Sequence, residues 1–97
     1  MPTYQIHFSG RVQGVGFRAT CRQLARHLPA LAGWVCNLSD GRVRLTVRGR
    51  AEDVAALVER LHREFPGYIR DVEQKELLPG DDPLPAALSG VQVTHAG

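Results

Sequence analysis

From Thr3 to Gly10 apolar and polar positions alternate. Tyr4, Ile6 and Phe8 fall on one face and Thr3, Gln5, His7 and Ser9 on the other, which predicts a half-buried strand. His7 is then an ordinary residue on the outer face of a sheet. Phe17, Cys21, Leu24, Ala25 and Leu28 next recur at helical spacing, with Arg22, Gln23, Arg26 and His27 mostly opposite. That helix ends before Pro29, because the residue ahead of a proline resists the helical region. Gly33 to Asn37 reads as a short second strand. Ser39-Asp40-Gly41 carries a turn signal, and Val43, Leu45 and Val47 then alternate with Arg42, Arg44, Thr46 and Arg48. The pair predicts a β-hairpin with a slightly long loop. Ala51 to Phe65 is a second amphipathic helix, with Val54, Leu57, Val58, Leu61 and Phe65 as its apolar stripe and Pro66-Gly67 as its stop. Ile69 to Leu77 predicts a fourth strand, Pro79 to Pro85 a loop, and Val91-Gln92-Val93 a short last strand against an edge.

The order β-α-β-β-α-β, made of two split βαβ units with right-handed crossovers, predicts an α+β fold. It is a ferredoxin-like βαββαβ sandwich, an antiparallel sheet with both helices on one face and room for a fifth short strand. The apolar strand faces and the two helix stripes then meet in one core. A chain of 97 residues is expected to form a single domain over 1–97, with no internal repeat.

Composition narrows the function. Net charge is +2, a poor counter-charge for a nucleic-acid backbone. The arginines beside the third strand therefore read as a solvated sheet face that discourages association, not as a nucleic-acid surface. No apolar run approaches membrane-spanning length, and Met1-Pro2-Thr3-Tyr4 lacks the layout of a secretory signal, so a cytoplasmic location is expected. Cys21 and Cys36 form no CxxC pair and are expected to be reduced and packed. His7, His27, His62 and His95 are scattered, with no HxxxH or HExxH pattern, and no metal site is expected.

The candidate chemistry lies in Gly10-Arg11-Val12-Gln13-Gly14-Val15-Gly16-Phe17-Arg18, between the first strand and the first helix. Glycines permit a turn that exposes successive N–H groups, and a helix N-terminus adds its positive dipole end. The result suits an anion such as phosphate. Arg18 adds a fork of donors at the mouth of the helix. In a split βαβ unit the first two strands are parallel, so their C-terminal ends share one edge of the sheet. Asn37 is thereby brought towards the glycine loop. Its amide could hold a water molecule, or it could simply shape the hairpin turn.

GRVQGVGFR, followed by GWVCNLSDG, resembles the acylphosphatase family, and the resemblance covers roughly residues 4 to 77. It implies hydrolysis of carboxyl-phosphate anhydrides without metal or cofactor, on a small-molecule acyl phosphate, by a protein expected to be monomeric. It also implies that Arg18 binds phosphate, that the backbone N–H groups of Gln13, Gly14, Val15, Gly16 and Phe17 line the cradle, and that Asn37 orients the attacking water. A carboxylate leaving group departs without a proton, so no histidine or glutamate is needed as a strong acid. Against the family pattern, Cys36 stands where an arginine or other polar residue is common, and Arg44 replaces an acidic residue. The segment Leu88 to Val93 replaces an aromatic-x-Ile-Arg-Tyr ending.

Two other readings compete. The chain is similar to the acylphosphatase-like N-terminal domain of a hydrogenase-maturation carbamoyltransferase, which shares GRVQGVGFR and implies carbamoyl phosphate as substrate. Ala19 stands where that domain usually has proline, whereas Val35-Cys36-Asn37 and the ending Thr94-His95-Ala96-Gly97 are closer to it. The other is a non-catalytic ferredoxin-like module that binds phosphate or RNA. RNA-binding modules of this fold stack bases on third-strand aromatics, and here that strand, Val43 to Arg48, has none.

Overall fold

The computed structural model describes residues 1–95, so the Ala96-Gly97 part of the ending noted above lies outside the described residues. In chain order the elements are β1 (Thr3–Gly10), α1 (Phe17–Ala25), β2 (Ala32–Asn37), β3 (Val43–Arg48), α2 (Ala51–Glu64), β4 (Ile69–Leu77) and β5 (Gly90–Val93). The sheet order is β4-β1-β3-β2-β5. β3 lies antiparallel between β1 and β2, and β4 pairs antiparallel with β1. This is the expected ferredoxin-like core. β5 adds to β2 in parallel, making the sheet mixed.

Strand alternation sets the layers. Ile6 pairs with Leu45, which pairs with Val35, and all three are fully buried on the face that the helices cover. Cys21 and Ala25 of α1 and Val54, Leu57 and Leu61 of α2 complete the same cluster. Trp34 and Cys36, at the alternate positions of β2, belong to the opposite face; Trp34 is half-buried and Cys36 buried.

α1 is shorter than the spacing suggested. It stops at Ala25, and Arg26, His27 and Leu28 each donate N–H to the carbonyl three residues back, at 3.2, 3.1 and 2.9 Å. Pro29 bars Leu28 from the helical region, and the last turn tightens instead of continuing.

Because β4 and β5 occupy opposite edges, their connection must cross the sheet. It includes a 3₁₀ turn at Pro79–Asp81 and is tied down on the way: Thr3 Oγ1 donates to Asp82, and Arg48 Nη2 to the Pro85 carbonyl at 2.8 Å. Leu84 is buried between these ties in sequence. β1, β2 and β5 all run the same way, so their C-terminal ends lie at one end of the sheet.

Candidate active site

Two glycines shape the start of the loop after β1. Gly10 has φ of +121°, and a Cβ there would lie 2.3 Å from the Tyr68 carbonyl oxygen, so β1 and β4 approach closely only because the side chain is absent. Gly16 has φ of +80° and caps α1 with no side chain bonding the helix end. The first intrahelical bond is Thr20 N–H to Gly16 O, 3.0 Å. The N–H groups of Phe17, Arg18 and Ala19 therefore have no helical acceptor, and no acidic residue occupies the first turn. The helix end is anchored from below. Phe17 is buried, its ring 5.0 Å from Phe8 and 5.1 Å from Phe65.

A cleft of about 190 Å³ opens above this helix end, lined by Val12, Gly14, Gly16, Phe17, Arg18, Ala19, Asn37 and Val93. The structure thus brings five of the expected site residues, Gly14, Gly16, Phe17, Arg18 and Asn37, to one place. Asn37 is the last residue of β2 and pairs with buried Val43, so it belongs to the helix-covered face of the sheet. Its Oδ1 is buried without a hydrogen-bond partner among the described residues. A buried amide oxygen without a donor is costly unless something else supplies one.

Gln13 and Val15 do not line the cleft. The Gln13 side chain turns to the β2–β3 connection, where Nε2 donates to the carbonyls of Leu38 (2.8 Å) and Arg42 (3.0 Å). Val15 packs against the core. The side chains of these residues fix the loop's position, which sequence reasoning did not foresee. A glutamine inside a glycine loop gives no signal of a carbonyl partner 25 residues away.

Sequence reasoning also gave no histidine a place here, and the structure differs. Arg18 Nη1 donates to the Thr94 carbonyl at 3.2 Å and lies 3.4 Å from His95 Nδ1. Thr94 is held in turn, its N–H bonding the Val35 carbonyl at 2.9 Å. The segment after β5 therefore steadies one nitrogen of the guanidinium, while Nε and Nη2 have no protein partner among the described residues. Only the parallel pairing of β5 creates this contact. Arg11, in contrast, stacks 4.3 Å over the Tyr68 ring, away from the cleft. Among the described residues no group of three His, Cys, Asp or Glu side chains could hold a metal.

Comparison with known proteins gives the same answer. The acylphosphatase family profile matches residues 4–82. An acylphosphatase of Halorhodospira halophila is 46% identical over 81 residues, covering 84% of this chain and 85% of that one. The crystal structure of acylphosphatase from Bacillus subtilis superposes with a TM-score of 0.79 at 30% identity, covering 98% of this chain and all of the other. Part of a longer protein is similar as well. T. kodakarensis HypF matches with a TM-score of 0.76 at 35% identity, over 99% of this chain but 12% of that one. With the profile spanning most of the residues and the whole fold shared, the chain belongs to the acylphosphatase family of enzymes.

Proposed function

We propose that this chain hydrolyses the carboxyl-phosphate bond of acyl phosphates by in-line attack of water, with no metal in the step. The observation that carries the reading is the buried, unpartnered Asn37 Oδ1 in the same cleft as Arg18 and the open end of α1. The phosphoryl group lies against the N–H groups of Gly14, Gly16, Phe17, Arg18 and Ala19, which line the cleft. Arg18 places its free nitrogens on the equatorial oxygens, where charge accumulates as the leaving oxygen departs. Asn37 Oδ1 accepts a hydrogen bond from the attacking water and holds it in line. The water oxygen bonds to phosphorus as the P–O bond to the acyl carbon's oxygen breaks. The electron pair leaves with the carboxylate, and a phosphoryl oxygen takes the water's proton.

The test is hydrolysis of benzoyl phosphate with and without chelator by wild type, Arg18→Ala and Asn37→Ala. The reading expects chelator-insensitive turnover, with kcat lowered by roughly 10²–10³ in Arg18→Ala, the scale of losing one preorganised donor, and lowered also in Asn37→Ala, which loses the acceptor that orients the water. Running carbamoyl phosphate beside it addresses the second reading, which the likeness to HypF favours. Preference for carbamoyl phosphate would support that reading, and inactivity on both would indicate a phosphate-binding module. With no side chain accepting the proton, the rate is expected to be flat from about pH 5 to 8. His95 does not line the phosphate cleft. An inflection that persisted in His95→Ala would therefore count against proton transfer to the substrate.

A further inference from the structure

Beyond the phosphate cleft lies a second one of about 500 Å³, lined by Asn37, Leu38, Ser39, Asp40, Arg44 and His95. The two share Asn37 as a wall, and His95 joins them through its contact with Arg18. Most arginines of the chain that approach a carboxylate are committed to it: Arg42 to Asp40, Arg48 to Asp82, Arg50 to Glu52 and Asp53, Arg63 to Glu59 and Arg70 to Asp71. Arg44 differs. It is half-buried, and its hydrogen-bond contact among the described residues is with the Cys36 sulfur, 3.9 Å from Nη2. That is a poor partner for a cation.

The only carboxylate in the lining, Asp40, does not offset Arg44. Its two oxygens take the Arg42 backbone N–H at 3.1 Å and the Arg42 Nε at 2.9 Å. Across the β1–β3 pairing Arg44 faces His7. Burial first, then the charges of Arg42 and Arg44, depress the His7 imidazole below its ordinary value, although Glu73 and Asp40 pull the other way.

We propose that the cleft around Arg44 is an anion site, which takes a carboxylate group on the Arg44 guanidinium with Ser39 and His95 at its rim. Two sources share that chemistry. The carboxylate could be the distal end of the same acyl phosphate, or a free carboxylate bound beside it. A tethered tail starts on the far side of phosphorus from the water held at Asn37 and must bend back to reach Arg44. A free anion carries no such constraint. The tethered source rests on the acyl-phosphate reading above; the site itself does not.

The experiment compares acetyl phosphate with succinyl phosphate, which adds one carboxylate, in wild type and Arg44→Gln at fixed ionic strength. Beside it, succinate is titrated against isotope-labelled Arg18→Ala protein, with and without Arg44→Gln, following the amide signals of Leu38, Ser39 and Asp40, which line the cleft. A tethered anion expects the ratio of KM for succinyl phosphate to KM for acetyl phosphate to rise about fivefold in Arg44→Gln. A free anion expects that ratio to stay constant while succinate shifts the three signals only when Arg44 is present. If the ratio is unchanged and succinate moves none of the three signals, or moves them equally without Arg44, the proposal is overturned. If wild type hydrolyses neither substrate, the acyl-phosphate reading fails while the succinate titration still decides the anion site.

Discussion

Arg18 is a short side chain's width from two different partners, and its geometry decides which matters. The Thr94 carbonyl holds Nη1, which leaves Nε and Nη2 without a protein partner among the described residues, on a side chain that lines the cleft. An ammonium at this position would keep the charge and lose the fork. Arg18→Lys should therefore recover only part of the activity lost in Arg18→Ala, mostly in KM and little in kcat, as steady-state hydrolysis of benzoyl phosphate would register. Equal kcat for the lysine variant and wild type would show that charge alone suffices. Gln13 belongs to the same scale. Its two bonds to the Leu38 and Arg42 carbonyls are neutral, each contributing about 0.5–1.5 kcal/mol. Gln13→Ala should lower unfolding free energy by about 1–3 kcal/mol in urea titrations and raise KM, because the loop loses its tie to the hairpin.

Among the elements, the connection from β4 to β5 has the clearest pH signature. The hydroxyl of Thr3, the backbone N–H of Leu84 and the charge of Arg48 hold the Asp82 carboxyl below its usual range, against a partial opposing effect of burial. A carboxyl depressed on folding binds fewer protons in the native state between its two pKa values, so stability rises with pH across that window. The contribution is present above the ordinary carboxylate range and disappears as pH falls through the folded value. Thr3→Val should thus flatten part of the acid limb of stability below about pH 4, measured as urea midpoints at pH 7 and pH 3. An unchanged limb would show that Asp82 gains little from Thr3.

At the scale of the whole molecule, one core serves both helices and the sheet. Cys21 sits in it fully buried, and burial pushes its thiol up to about 12. Native protein at pH 8 should resist iodoacetamide at Cys21, with alkylation appearing only as urea unfolds the chain; mass spectrometry of the modified peptide reads this directly. Cys36 is buried as well, and the two cysteines are not bonded to each other. No helix of the described residues is long and apolar enough to cross a membrane.

The alternation of Tyr4, Ile6 and Phe8 and the stripes of Leu57 and Leu61 were sufficient to determine the strands, the helices and which faces meet, because burial selects for period in each element separately. The glycines ahead of α1 likewise marked a turn, which the structure builds with positive φ at Gly14 and Gly16, since that backbone shape is local. The ends of α1 and the reach of the site were not legible in this way. Pro29 marked the limit of the helix but not the turn by which it falls short. Val91-Gln92-Val93 is too short to declare its partner or direction. Only the folded sheet pairs it in parallel with β2, and that pairing carries Thr94 and His95 to Arg18. The placement of Gln13 is likewise a product of chain segments distant in sequence. Local pattern determines what each segment becomes, whereas contacts between segments depend on a topology whose free energy belongs to the entire core.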